Sequence, residues 1–225
     1  MKLNNKKSLS ESGFTLVEIA IVLVIIGLLL GGILKGQEMI TQAKIKNLIN
    51  DFNGVTVAVT SYQDRYRTLP GDDPNADTRW TTPSAAPKGD GDGIILGKYN
   101  STTPGEESRL FWQHLRLAGF VPGPTTGPTA QQQPLNAAGG MIGVESAASG
   151  TKGMGFTSLI VCFANLPEKV ASAIDGQMDD GVPNGGQVRA QLQTGANPDT
   201  GKDASAAASS YVETGVNQYL MCKNY

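Results

Sequence analysis

Residues 13–34 read GFTLVEIAIVLVIIGLLLGGIL, an apolar run in which Glu18 is the single charged residue. Counted from Phe14, the run is long enough to cross a hydrocarbon core of about 30 Å at about 1.5 Å per helical residue. It therefore predicts a membrane-spanning helix over residues 14–34.

Gly13 lies immediately before this apolar run, whereas an ordinary secretory signal has its small-residue cleavage site after the apolar core. Cleavage after Gly13 would leave the apolar helix in the mature chain. It would also create an α-amino group on Phe14, with a reference pKa of about 8, one helical turn from Glu18. An unpaired carboxylate at membrane depth costs on the order of a few kcal/mol, so Glu18 needs such a partner.

A leader containing three lysines, followed by GFTLVE at residues 13–18, resembles the processing site of type IV pilins and type II secretion pseudopilins. The resemblance implies that a prepilin peptidase cuts after Gly13 and methylates the new N-terminal Phe14. It also implies that Glu18 neutralises the N-terminal amine of a neighbouring subunit during assembly. The alternative, a plain signal anchor with Glu18 at the membrane interface, does not account for the order of these residues.

The charge distribution predicts the orientation of the chain. The 225 residues carry a net charge of −2, and the leader, with three lysines and one glutamate, holds +2, so the remainder carries −4. Basic residues before a membrane helix favour a cytoplasmic N-terminus, which in a bacterium places the head in the periplasm. We expect a single-pass inner-membrane protein that later enters a pilus or pseudopilus. The mildly acidic head predicts no nucleic-acid partner.

Cys162 and Cys222 are the two cysteines of the chain. Because an exported compartment is oxidising, a disulfide between them is the more economical interpretation, and two buried free thiols are the alternative. The family resemblance agrees, since many pilins close a C-terminal region with one disulfide. A bond closing about sixty residues would stabilise the fold by ~4 kcal/mol in the loop-entropy model.

The apolar residues from 45 to 66 recur at spacings of three and four, so the predicted helix continues to about residue 68. Leu69-Pro70-Gly71 then ends it. The pattern places one apolar stripe along the second half of the helix, as expected for a helix that packs on a sheet.

Shorter elements follow in the remaining sequence. Capping signals at residues 103–106 and at Asn165 predict two further helices, the first ending before Gly119 and the second near residue 174. Alternating or continuous apolar runs predict strands over 141–145, 155–163, 187–192 and 211–222. Residues 70–104 and 121–140 are predicted loops.

These elements predict an α+β fold in which a long N-terminal helix, membrane-spanning in its first half, packs on a small antiparallel sheet. This layout matches the pilin roll. We expect three segments: a leader over 1–13 that is removed, a transmembrane or filament-core helix over 14–34, and a periplasmic or surface-exposed head over 35–225.

Asp90 and Asp92, separated by glycine, are candidate calcium ligands because carboxylate oxygens suit that cation. The EF-hand pattern fails, since Tyr99 stands where the loop needs a bidentate glutamate. A second candidate group comprises Asp175, Asp179 and Asp180. Asp-Gly runs are more often turns, so no cofactor is expected unless calcium binds.

The sequence contains none of the nucleophile-elbow, zinc-protease, phosphate-loop or dinucleotide motifs that would indicate an enzyme. We therefore expect a structural subunit. A minor pilin is the first interpretation, because the head is larger than the compact major subunits of the family. The alternatives are a pseudopilin of type II secretion and an uncleaved, membrane-anchored periplasmic binding module. The expected partners are other pilin or pseudopilin subunits, prepilin peptidase and the inner-membrane assembly platform.

Overall fold

The computed structural model describes residues 13–81, 85–146, 153–201 and 210–225. Its helices are α1 Leu16–Tyr66, α2 Ala76–Arg79, α3 Glu107–Leu117 and α4 Glu168–Met178. Its strands are β1 Ile142–Ser146, β2 Leu159–Pro167, β3 Val188–Leu192 and β4 Gln218–Asn224. The chain divides into two compact units, Met1–Gln42 and Ala43–Tyr225.

The first unit, in its described part, consists of the beginning of α1. The side chains of residues 13–34 are all exposed, including the large apolar ones. Among the described residues, α1 is the one helix long and apolar enough to cross a membrane. The predicted long N-terminal helix is confirmed.

The second unit is built on a four-stranded antiparallel sheet with the order β1-β2-β4-β3. One face of the sheet packs against the second part of α1, where the predicted apolar stripe is buried. The rings of Phe52 on α1 and Phe163 on β2 stack with their centroids 3.7 Å apart. α3 and α4 contribute Phe111, Trp112 and Ile174 to the same core. The predicted α+β class is confirmed.

The opposite face of the sheet carries a second, smaller core that the sequence did not predict. Side chains of β2 and β4 that alternate with those of the main core pack there with Tyr99, Met154 and Phe156. Gly143 on β1 makes this layer possible, because a Cβ at that position would lie 2.1 Å from the carbonyl oxygen of Tyr99. Irregular segments thus cover a sheet face that a simple roll would leave open.

The predicted capping box at residues 103–106 is wrong. α3 begins at Glu107, and the residue at its N-cap, Glu106, makes no side-chain capping bond. The amide of Ser108 in the first turn instead donates to the carbonyl of Leu96, at 2.9 Å. A loop carbonyl twelve positions earlier in the chain therefore satisfies an amide at the helix start, in place of the local Thr103 hydroxyl.

The predicted cap at Asn165 is also wrong. Asn165 lies within β2 with a φ of 60°, and its amide donates to the side-chain oxygen of Gln193 at 2.9 Å. Because β2 continues to pair with β4 as far as Pro167, α4 starts two residues later than a cap at Asn165 predicts, at Glu168. The predicted last strand is shorter than expected, since β4 begins at Gln218. The short helix α2 lies in a segment predicted to be loop.

Candidate functional site: the processing segment and the acidic loop

Thr15 and Glu18 form a reciprocal capping box at the start of α1. The amide and the hydroxyl of Thr15 donate to Oε2 of Glu18, at 2.8 and 3.0 Å. The amide of Glu18 donates in return to the Thr15 hydroxyl oxygen, at 3.3 Å. The Thr-x-x-Glu spacing is a standard helix-start signal, and residues 15–18 carry it in the sequence itself. Glu18 therefore has a local structural role in addition to any role in assembly.

The bond that would be cut, between Gly13 and Phe14, lies in an open part of the chain. Phe14 is 83% exposed, and a Cβ built on Gly13 would meet no atom within 4 Å. Both residues precede the first residue of α1, Leu16, so the peptide bond is not held in helical structure. This geometry leaves the bond accessible to a peptidase.

Residues 9–34 match the prokaryotic N-terminal methylation motif. This is the leader of type IV pilins and pseudopilins. No curated protein matches the chain significantly. The match covers the processing segment and the apolar part of α1.

The pilin leader indicates a type IV pilin-like or pseudopilin subunit and thus points to a structural role. Such subunits assemble with other pilin subunits and are processed by a prepilin peptidase. The exposed apolar part of α1 fits a membrane-anchored pilin. Cleavage after Gly13, methylation of Phe14 and the assembly role of Glu18 remain predictions for this chain.

The structure pairs Cys162 with Cys222 in a disulfide. The two cysteines lie directly opposite each other on neighbouring strands, β2 and β4, and both are fully buried in the smaller core. The bond joins two central strands of the sheet, and its solvent-shielded sulfurs are inaccessible to a reductant in the folded state.

The candidate calcium ligands are only partly brought together. Asp90 lies with Asp72 and Glu107 so that one carboxylate oxygen of each is within 4.8 Å of the other two. Asp92 is not a member of this group. Its Oδ1 accepts the amide of Ile94 at 2.7 Å. Neither Asp72 nor Glu107 could be linked to Asp90 by sequence spacing alone.

The carboxylates of this acidic loop accept backbone hydrogen bonds. The two oxygens of Asp72 accept the amides of Gly91 and Gly93, at 2.6 and 2.8 Å. Those of Glu107 accept the amides of Asp90 and Leu96, at 3.1 and 2.8 Å. Burial raises the pKa of Asp72 and of Glu107 above the usual carboxyl range, and the neighbouring acidic groups add to the rise.

Three carboxylates within reach of one another can ligate a hard cation, and they can equally well tie a loop together. The second group, Asp175, Asp179 and Asp180, is also brought together. There, Asp175 accepts the hydroxyl of Tyr211 at 2.6 Å. Calcium at Asp90 and Asp92 therefore stays a prediction, and the geometry makes Asp72 and Glu107 better candidates than Asp92.

Proposed function

We propose that the chain is a minor pilin of a type IV pilus or a related filament, assembled through its N-terminal helix. The observation that carries this proposal is the pilin leader followed by an apolar helix whose side chains have no partner within the described chain. Such a surface is stable in lipid or against other apolar helices, and it is not stable in water.

In this function the leader over residues 1–13 is removed, and residues 14–34 span the bacterial inner membrane once until the subunit is assembled. The head over residues 35–225 lies in the periplasm and later on the filament surface. The assembly platform then transfers the helix from lipid to a bundle of like helices. Packing between helices replaces packing against lipid, so the step needs little net change in apolar exposure.

Glu18 pairs with the Phe14 amine of a neighbouring subunit in this proposal. Both hydrogen bonds that Glu18 accepts in the structure end on its Oε2. An amine of another subunit can therefore approach Oε1 while the capping box with Thr15 stays intact. The pair would neutralise two charges that are costly in an apolar bundle.

The size of the head supports a minor rather than a major subunit, by comparison with the compact major pilins of the family. The head also carries long connecting segments, such as residues 67–106, beyond the four-stranded sheet. A pseudopilin of type II secretion has the same leader and is the alternative to a minor pilin. An uncleaved periplasmic binding module is the third outcome.

Mass spectrometry of the native protein tests the proposal. The intact mass and the N-terminal peptide are determined separately for sheared surface filaments and for inner membranes. We expect a chain that begins at methylated Phe14 in the sheared material. The same mature chain found in membranes alone would favour a pseudopilin, and a chain that begins at Met1 would overturn the filament function.

A further inference from the structure

The imidazole ring of His114, on α3, makes a hydrogen bond to the connection between α1 and α3 with each of its two nitrogens. It is the single histidine of the chain and is fully buried. Its Nδ1 accepts the amide of Gly71 at 2.9 Å, and its Nε2 lies 2.8 Å from the carbonyl oxygen of Pro87. Because a backbone N–H must donate, Nδ1 carries no proton, and Nε2 donates to Pro87. The ring is therefore neutral in this structure.

The two contacts fix two separate stretches of the connection between α1 and α3. We call residues 68–74 the first limb and residues 85–93 the second limb. The first limb follows the end of α1 and contains Gly71, whose φ of 92° and close approach to α3 exclude a side chain. The second limb contains Pro87. A single imidazole thus holds both limbs to the same helix.

The aromatic, titratable and charged groups around the imidazole come from α1, from the first limb and from α2 with its C-cap residue Trp80. The rings of Tyr62 and Trp80 lie 6.4 and 6.1 Å from the imidazole centroid. Asp73 accepts the Tyr62 hydroxyl at 2.6 Å and also pairs with Arg79.

The charged residues of α3 itself make their bonds away from the ring. Glu107 accepts the amides of Asp90 and Leu96. Arg109 and Arg116 donate to the backbone carbonyls of Thr102 and of residues 130–132. The Asp73 carboxylate favours the charged imidazole. Arg79 and the burial of the ring favour the neutral imidazole and so oppose this effect.

Burial lowers the pKa of His114 below its usual range, because desolvation of the imidazolium outweighs the favourable effects of the Pro87 carbonyl and Asp73. Proton uptake would place an N–H on Nδ1 directly against the N–H of Gly71. Two donors cannot share a hydrogen bond, whereas the bond from Nε2 to Pro87 survives in either state. The two limbs therefore respond differently to a proton.

We propose that His114 is a proton-operated latch that holds the first limb closed when neutral and releases it from α3 when it takes up a proton. The end of α1 and both limbs line a cavity of about 450 Å³, to which the first limb contributes Leu69 and Asp72 and the second limb Gly91 and Gly93. Release of the limb remodels this surface of the head. That the head is exposed to acidic medium rests on the proposed function as a surface subunit. The response of His114 to a proton does not depend on that function.

The direction of the effect follows from linkage. An imidazole freed from the latch has a reference pKa of about 6.5, and the latched ring has a lower pKa. Between these two values the open state binds more protons, so the population of the open limb rises about tenfold for each pH unit of acidification. Above about pH 6.5 the latch is insensitive to pH.

Amide hydrogen exchange of the full chain in detergent micelles tests the latch, from about pH 7.5 to about pH 4.5, with rates corrected for intrinsic exchange. We expect protection of a peptide containing Gly71 to fall about tenfold per pH unit within the window, while peptides from β2 and β4 keep theirs. In His114→Gln the neutral amide does not titrate, so protection of Gly71 should not depend on pH.

The imidazole provides a second measurement that does not depend on a variant. As the single histidine, it gives one unambiguous NMR signal. The midpoint of its titration must coincide with the low-pH end of the range over which protection of Gly71 falls. Protection that stays flat while the imidazole titrates would overturn the latch, as would the same pH dependence in His114→Gln. Neither result bears on filament assembly, so the two proposals fail independently.

Discussion

The two parts of α1 have the same backbone conformation and opposite surroundings. Residues 19–34 are apolar on all sides of the helix and all exposed. Residues 45–62 carry one apolar stripe, and its members are buried against the sheet and the shorter helices. The comparison shows that an apolar stripe finds its partner within the chain, whereas an apolar surface on all sides indicates partners outside it.

The stripe contributes to folding, and under the proposed function the exposed surface contributes to assembly. Each fully buried leucine or phenylalanine of the stripe, such as Leu48 or Phe52, stabilises the second unit by roughly 1.5–3 kcal/mol relative to an exposed position. The same residue types before residue 35 gain their free energy from lipid or neighbouring subunits. Mutations in the two parts should therefore affect different measurements.

The largest effect is expected at Glu18. Glu18→Ala removes both the carboxylate and the cap, and the loss of a charge partner at apolar depth should lower sheared-filament yield on the order of tenfold or more. Membrane insertion should be unchanged, since the helix becomes more apolar. Filament and membrane fractions are compared by immunoblot.

Glu18→Gln separates the two roles of this side chain, because glutamine keeps a capping oxygen and lacks the charge. We expect it to assemble as poorly as Glu18→Ala. Glu38→Gln is the matched control, since Glu38 is an exposed acid of α1 that pairs with Lys35 at 2.8 Å. Wild-type filament yield from Glu18→Gln would show that Glu18 acts through the cap alone.

The disulfide should have the largest effect on the stability of the head. Replacing both Cys162 and Cys222 by serine opens a closed segment with a sequence separation of 60 residues. We expect a loss of ~4 kcal/mol in the free energy of unfolding, measured by urea denaturation of the full chain in detergent. A loss below ~1 kcal/mol would show that closing this segment contributes little to the stability of the head.

A pair of leucine substitutions tests the comparison within α1 directly. Leu48 is fully buried and Leu28 is 73% exposed. Leu48→Ala should destabilise the head by roughly 2–5 kcal/mol, because it leaves a cavity, whereas Leu28→Ala should change its stability by less than about 0.5 kcal/mol. Unfolding is followed by the fluorescence of Trp80 and Trp112, which both lie in the second unit. Equal effects would contradict the division of α1 into two functions.

The smallest effect is expected on removing calcium. Since the oxygens of Asp72 and Glu107 already accept backbone amides, we expect a chelator to shift the melting temperature by less than about 1 °C. Binding at a calcium concentration of about ten times Kd would instead stabilise by about 1.4 kcal/mol, a shift of a few degrees. A stabilisation by calcium that Glu107→Gln abolishes and Asp92→Asn preserves would establish a cation site.

Much of the fold was predictable where a local pattern decides it. The three- and four-residue spacing over residues 45–66 predicted the buried side of α1, and short apolar runs located β1 and β3 within one residue at each end. Local signals failed where a distant residue competes for the same groups. Asn165 has the chemistry of a helix cap, yet its amide binds Gln193 and it remains in a strand.

The candidate sites divide in the same way. The order of residues in the leader, the charges around it and the length of the apolar run predict the processing segment and the membrane helix, because these properties depend on neighbours along the chain. Tertiary structure alone places Asp72 and Glu107 beside Asp90, and Gly71 and Pro87 on the two sides of His114. It also places Tyr99 over Gly143. These contacts join residues tens of positions apart. They are fixed by packing and strand register, and no local sequence pattern encodes either of these.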